Sequence, residues 1–276
     1  MLTLGTPVQF TVTVVADTGV KTVSFKGLPN GLKYDKKNGV IIGTPTKSGT
    51  FTPVISVTTK GKAKGSIALG SVKVPELSNI VVGTFYGGLT LNGKEGVIVM
   101  KIAKNGKTTG KVTFGDRKTL SIKSGYFLDA EKDAANYVLN FKDGSQMRFV
   151  FSAGTLGEFT YGSFVADTDW GQDAAYTAYI AQDVFSRKDA KPVLAKFVKK
   201  HVYKKGDLTF TSSPKGVVKV KGTYNGMKIS CTSYFLPEYK DNGYYIFTCD
   251  VPYPNNSGYL RVDFAVDSKG NWIDDI

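Results

Sequence analysis

Short runs of alternating apolar and polar residues, each broken at a glycine turn, constrain the fold of this chain more than any other feature. "VQFTVTVV" alternates from Val8 to Val14, and "VIVMKIAKNGKTTGKVTF" runs strand, Asn105-Gly106, strand. "YVLNFKDGSQMRFVF" repeats this around Asp143-Gly144, and "VDFAVDSKGNWIDDI" around Lys269-Gly270. Period-two alternation puts every second side chain on one face of a strand. Asn-Gly and Asp-Gly supply the positive φ that two-residue hairpin turns demand. So many local hairpins mean antiparallel sheet rather than βαβ units. The expectation is an all-β protein with at most one or two short helices. A chain of 276 residues suits one large β domain or two of ordinary size. It is long enough to bury a full core without a metal or a disulfide.

One stretch breaks the rhythm. "DAAYTAYIAQDVFSRKDAKPVLAKFVKK", 173–200, sets Val193, Leu194, Phe197 and Val198 at helical spacing, with Pro192 in a first-turn position and Asp189 as a cap candidate. It reads either as a short helix or as an irregular connection with a strand at either end.

The net charge of +13 is spread along the chain, +7 over residues 1–77 and +6 over the rest. Arginine occurs only at 117, 148, 187 and 261. A nucleic-acid surface would cluster arginines among aromatics, so no nucleic-acid partner is expected. The lysines read as a solvated surface, with attraction to acidic polysaccharide or anionic envelope material left open. No run of about 18 apolar residues encodes a membrane span. Met1 leads straight into a strand-like run with no charged leader and apolar stretch behind it. The expectation is an excised module, or a mature exported form, from a larger multidomain chain.

Residues 28–58, "LPNGLKYDKKNGVIIGTPTKSGTFTPVISVT", carry fixed punctuation. Leu32 and Tyr34 share a strand face, "DKKNG" makes a hairpin tip with Gly39 left-handed, and "GTPTKSG" turns again. Pro53 belongs at an edge or bulge. Leu28, Pro29, Gly31, Leu32, Asp35, Gly39, Ile41, Gly43, Thr44, Pro45, Gly49, Thr50 and Phe51 together resemble the signature of the bacterial putative-Ig (haemagglutinin-type Ig-like) module. That resemblance covers about the first 75 residues. It implies a small β-sandwich used as a spacer or adhesive element, with no catalytic residues. "KVPELSN", 73–79, then reads as a linker, giving an Ig-like domain at 1–77 and a second domain at 78–276.

The second region repeats itself. "YFLDAEKDAANYVLNF" begins at Tyr126 and "YFLPEYKDNGYYIFTC" at Tyr234, so that Tyr126, Phe127, Leu128, Lys132, Asp133 and Tyr137 recur 108 residues later. Arg148-Phe-Val-Phe parallels Arg261-Val-Asp-Phe. A period this long is no solenoid. The copies, at about 80–165 and 204–276, read as two halves of a pseudo-duplicated antiparallel β-barrel or barrel-like sandwich. This region resembles an uncharacterised module of bacterial surface and secreted proteins.

Residues for chemistry are sparse. His201 is the only histidine, lies among lysines, and has no Gly-x-Ser-x-Gly motif to serve. No carboxylate pair stands out for glycoside hydrolysis, since most aspartates fall in turns where they cap backbone N–H groups. The expectation is therefore not an enzyme. "DTDWGQD" alternates Asp167, Asp169 and Asp173, which is either a partial calcium loop or an exposed acidic turn; no other cofactor is implied. Exposed aromatics beside polar groups suit glycan contact, which nominates Trp170, Tyr176, Tyr179, Tyr253 and Asn255, against core packing as the alternative. Cys231 and Cys249 could join as a cross-strand disulfide or remain two buried thiols. These residues point to a non-catalytic, extracellular or cell-surface bacterial module that binds a glycan or a protein. A purely structural spacer is the alternative, and an ancillary glycan-active enzyme domain comes third.

Overall fold

The computed structural model describes residues 2–115, 118–128, 136–156, 159–166, 176–189, 202–241, 244–254 and 258–273. It is all-β, as the alternation requires, with one 3-10 turn at Val184–Ser186 among the described residues. The positions that prompted a helix, Val193 to Val198, lie outside them. The same stretch opens on a strand.

Eight short strands come first: β1 (Val8–Thr11), β2 (Val20–Lys26), β3 (Leu32–Asp35), β4 (Val40–Gly43), β5 (Gly49–Phe51), β6 (Val54–Thr59), β7 (Lys64–Ala68) and β8 (Val72–Val74). They pair antiparallel as β1-β4-β3, β2-β6-β7 and β5-β8. Leu2, Leu4 and Val74 are buried at the centre, with Val8, Leu32, Phe51 and Val72 packed on them. The punctuation of residues 28–58 has a steric cause. Leu32 lies opposite Gly43 in the β3–β4 ladder. A Cβ on Gly31 (φ 92°) would lie 2.0 Å from the Thr44 carbonyl oxygen, and one on Gly43 (φ 143°) 2.1 Å from that of Gly31. Only glycine allows two backbones so close. Asp35 closes the hairpin tip: its carboxylate accepts the Lys37 N–H at 2.9 Å and the Asn38 side-chain amide at 2.7 Å. The Asn38 hydrogen bonds hold this carboxyl below its ordinary value. Pro53 falls in the break between β5 and β6, where no ladder N–H is needed.

The next eight strands are β9 (Gly83–Leu91), β10 (Lys94–Ile102), β11 (Thr108–Phe114), β12 (Thr119–Phe127), β13 (Asn136–Phe141), β14 (Gln146–Leu156), β15 (Phe159–Ala166) and β16 (Tyr176–Gln182). They run up and down and close into a barrel when β16 pairs with both β15 and β9. Ile98, Met100 and Ile102 are buried inside, while Val97, Val99 and Lys101 face out, as alternation dictates. Phe164 sits within the interior with its ring 5.0 Å from Phe85, 5.1 Å from Tyr137 and 5.0 Å from Phe151. Eight strands leave an interior just wide enough for side chains to fill. Burying each large apolar side chain there contributes roughly 1.5–3 kcal/mol.

The last seven strands form a second, curled sheet in sequence order: β17 (Val202–Lys205), β18 (Leu208–Ser212), β19 (Val217–Tyr224), β20 (Met227–Asp241), β21 (Tyr244–Pro252), β22 (Tyr259–Val266) and β23 (Trp272–Ile273). The repeated Tyr-Phe-Leu falls on the fourth strand of each meander, β12 and β20, and the repeated arginine on the sixth, β14 and β22. The two stretches do not share a barrel. Residues 83–182 complete their own ring of hydrogen bonds, which leaves no edge for the later strands. Register differs as well: Phe127 faces Tyr137, but Phe235 faces Cys249, with a bulge between Pro237 and Lys240. The interior of this sheet is aromatic, with Phe210, Phe235, Phe247, Phe264 and Trp272 in contact.

Candidate binding groove and the joint beside it

Among the described residues the barrel closes on itself, whereas the second sheet ends on β17 at one side and β23 at the other. Among the described residues β17 pairs with β18, and β22 meets β23 at Ala265 and Val266. Curling brings the two edges near each other. Lys205 Nζ donates to the Asp263 carbonyl at 3.4 Å, and the Tyr203 ring lies 4.5 Å from Trp272. A cavity of about 640 Å³ opens there, with Lys205, Asp207, Tyr224, Leu260, Arg261 and Asp263 in its walls. That volume suits a ligand site, and charged groups converge on it beside apolar ones. The buried Thr248 hydroxyl lies 2.9 Å from the Asp263 carboxylate and fixes it in place. Among the described residues its walls hold no serine, cysteine or histidine. A second cavity, about 650 Å³, lies between the first eight strands and the barrel, where Pro7, Phe10, Val72 and Phe127 make it mainly apolar.

Next to the groove the sheet is bolted to the barrel. Asp250 and Arg261 stand directly opposite on β21 and β22. The guanidinium donates twice to the carboxylate, Nε to Oδ1 at 2.8 Å and Nη2 to Oδ2 at 3.1 Å. Oδ2 also accepts the Gly88 N–H from the barrel at 2.8 Å. Burial works against the arginine's charge, but the Asp250 hydrogen bonds and charge outweigh it and raise its pKa. Gly88 must be glycine, because a Cβ would lie 2.3 Å from the Tyr259 ring. Tyr86 of the barrel stacks on Tyr234 of the sheet at 3.9 Å and 8°. Tyr161 donates its hydroxyl to the Glu238 carbonyl, and burial pushes that hydroxyl up to about 12.

The residues nominated from sequence scatter. Trp170, Asn255, Asp167, Asp169 and Asp173 lie outside the described residues, so the calcium and aromatic-loop expectations have no geometry here. Tyr176 begins β16, opposite Leu91. Tyr179 belongs to the joint: its hydroxyl donates to the Pro237 carbonyl at 3.0 Å, and the Arg261 guanidinium lies 5.5 Å from its ring centre. Burial, then Tyr161 and Glu238, raise its pKa. A tyrosine so engaged is no open platform for a sugar. Tyr253 comes closest to the groove, stacked near-parallel on Tyr224 at 6.0 Å. Burial, then Tyr224 and Glu95, raise its pKa.

Cys231 and Cys249 are both free thiols in this structure. The register explains it: Phe235, not Cys231, stands opposite Cys249. Burial pushes Cys231 up to about 11 and Cys249 up to about 12.

Sequence reading passed over Asp250, Arg261, Lys205 and Asp263. One signal was available. In a chain this rich in lysine arginine is rare, and Arg261 stands where a planar, two-pronged donor is needed. Arg187 is another such clamp, donating to the Thr160 carbonyl at 2.9 Å and to Gln182 Oε1 at 2.8 Å.

No curated protein matches the chain. Residues 1–74 match the family described as "Putative Ig domain", so the Ig-like character indicated by Leu28 to Phe51 holds for that segment, about a quarter of the chain.

Proposed function

We propose that this chain is a non-catalytic, surface-related module of an exported bacterial protein, and that it binds a glycan or protein ligand in the open groove of its curled sheet. The observation that carries the reading is the contrast between that groove, about 640 Å³ and lined by Lys205, Arg261 and Asp263, and a barrel whose interior is filled by its own side chains. Three further facts support it. The N-terminal segment matches an Ig-like family, whose members are typically non-catalytic. Among the described residues, Asp35, Asp143 and Asp267 cap turns rather than gather at a reaction centre. No helix among the described residues is long and apolar enough to cross a membrane. On this reading the domain limits are 1–77 and 78–276, with 204–276 as the binding part of the second.

Rigid strands hold Tyr224, Tyr253 and the groove charges in place, so little ordering entropy is lost on contact. The test is a glycan array and a surface-protein pull-down with the intact chain and with Tyr224→Ala and Asp263→Asn variants. Binding should fall in both variants, and binding that persists unchanged in both removes the groove from the reading. The joint favours a second reading, a rigid spacer, because the Asp250–Arg261–Gly88 contacts fix the sheet against the barrel. Small-angle scattering that fits one fixed arrangement, with no ligand in either screen, would select it.

A further inference from the structure

We infer that the outward face of β2, β6 and β7 binds an acidic polysaccharide, a polymer with one carboxylate per sugar and free hydroxyls between. The surface lies in the first eight strands, apart from the groove of the curled sheet, and stands whatever occupies that groove.

Register defines the face. Antiparallel pairing sets Thr22 beside Thr58 and Lys64 in one row, and Ser24 beside Ser56 and Ser66 in the next. Lys26 heads the third row on β2. The Ser56 and Ser66 hydroxyls are 2.7 Å apart, so they share one side of the sheet. The alternate residues, Phe25, Ile55 and Ile67, take the other side, where the Phe25 ring lies 4.9 Å from that of Tyr34 on β3. The hydroxyl rows therefore point away from the neighbouring sheet. Thr22, Ser24, Lys26, Lys64 and Ser66 are exposed, and every residue of this sheet and its flanking turns is among those described.

The charge on this segment is one-sided. Residues 18–75 hold ten lysines and one acid, Asp35, whose carboxylate is taken up by the Lys37 N–H and the Asn38 amide. The three strands and the β6–β7 turn carry Lys21, Lys26, Lys60, Lys62 and Lys64, all exposed, and no acid. Asp17, in the turn before β2, is the nearest carboxylate in sequence. Among the described residues no ion pair engages these five lysines. Uncompensated charge on an exposed face attracts a polymer of opposite sign. What separates the charges says which polymer. Lys26 and Lys64 stand at opposite corners of the face, with small hydroxyl side chains between them rather than more cations. That layout suits single anions spaced by hydroxyls, to which serine and threonine both donate and accept. Nucleic acid fits poorly, because residues 1–77 contain no arginine and no aromatic ring stands in the outward rows for a base to stack on.

The test uses the whole chain and soluble polygalacturonate at low salt, with binding read by calorimetry. Lys26→Gln combined with Lys64→Gln should weaken binding about tenfold, the combined scale of two exposed charge pairs. Lys219→Gln combined with Lys221→Gln removes the same charge from exposed positions on β19 and should change binding less than about twofold. Ser56→Val combined with Ser66→Val keeps every charge and should weaken binding about threefold by removing the hydroxyl row. Tyr224→Ala, in the groove, should leave binding unchanged. Absent binding, unchanged binding in the serine pair, or duplex DNA held as tightly as polygalacturonate would overturn the proposal. Equal losses in the two lysine pairs would overturn it by showing only diffuse attraction to a basic surface. Loss in Tyr224→Ala alone would overturn it by moving the polymer to the groove.

Discussion

The barrel and the curled sheet are the same kind of antiparallel meander, yet among the described residues one closes on itself and the other does not. A single strand makes the difference. β16 pairs with both β15 and β9, and with it the backbone groups of the first meander find partners all round. Among the described residues the second meander has no such strand; it curls far enough to bury Phe235 and Phe247, and β17 pairs with β18 alone. Closure yields a filled interior with nothing left to offer. Incomplete closure yields an aromatic core with a groove at its rim. On the proposed reading, stability and recognition are divided between two versions of one plan.

The largest test of this contrast is in the cores. Phe164 in the barrel and Phe235 in the sheet are both fully buried among aromatic rings. Removing a buried phenylalanine ring costs about 3–5 kcal/mol, and the cost rises when the walls cannot collapse into the gap. Phe164→Ala should lie near the upper end, because a closed ring of strands resists collapse. Phe235→Ala should cost less, because β17 and β22 are not joined in one ring of hydrogen bonds among the described residues and can move inward. Urea unfolding of both variants measures the difference, and equal losses would mean that the curled sheet is as rigid as the barrel wall.

Next in size is the joint. Asp250→Ala leaves the partly buried Arg261 without its carboxylate and the Gly88 N–H without an acceptor. The loss should be about 2–3 kcal/mol, below the full figure for a broken buried pair because the arginine is partly hydrated. Gly88→Ala should cost about 1–3 kcal/mol by driving a methyl into the Tyr259 ring. Both changes act between the two regions rather than inside either. They should therefore split unfolding into two steps, a sheet transition seen by Trp272 fluorescence and a later barrel transition seen by far-ultraviolet circular dichroism. A single shared transition in both variants would show that the regions are coupled by something other than this joint.

Much of the barrel could be read from the sequence because hairpins are local. Asn105-Gly106 and Asp143-Gly144 lie within the turns that they specify, and the alternation around them assigns each side chain its face. Closure could not be read so. It depends on Leu91 meeting Tyr176 across the chain, and "YTAYIAQ" lies in a stretch whose later residues suggested a helix. The 108-residue shift identified matching fourth strands, but sequence similarity does not state whether two copies share one ring of hydrogen bonds. The groove was harder still. Asp250 and Arg261 are eleven residues apart, and become neighbours only once the β21–β22 register is known. Tyr179 was nominated as an open aromatic for the same reason: nothing local to it announces Pro237 and Arg261 as partners.

A smaller effect separates the two regions by pH. At the barrel's edge, burial raises the pKa of Asp183, just beyond β16. In the sheet, the Asn271 backbone hydrogen bond leads in lowering that of Asp267, in the β22–β23 turn. The signs oppose. A raised acid favours folding when protonated, so its contribution is present at low pH and lost as pH rises through the folded value. A lowered acid contributes above the unfolded value, about 3.9, and loses that contribution as pH falls through the folded one. Asp183→Asn should therefore raise stability near pH 7 by about 0.5 kcal/mol and change little at pH 3. Asp267→Ala should flatten the acid limb instead. Urea midpoints from pH 3 to 8 give both slopes, and parallel curves for the two variants would remove the contrast.

The smallest effect needs no change in stability. Cys231 and Cys249 both pack into the sheet's core, but Cys249, on β21, is fully buried while Cys231, on the central strand β20, keeps partial exposure. The thiolate is the reactive form, and burial holds both groups well above neutral pH. At pH 8 in native buffer, iodoacetamide should modify Cys231 slowly and Cys249 more slowly still, as read by mass spectrometry. Equal rates at the two cysteines would mean that the sheet opens faster than either thiol reacts, so that burial does not separate them.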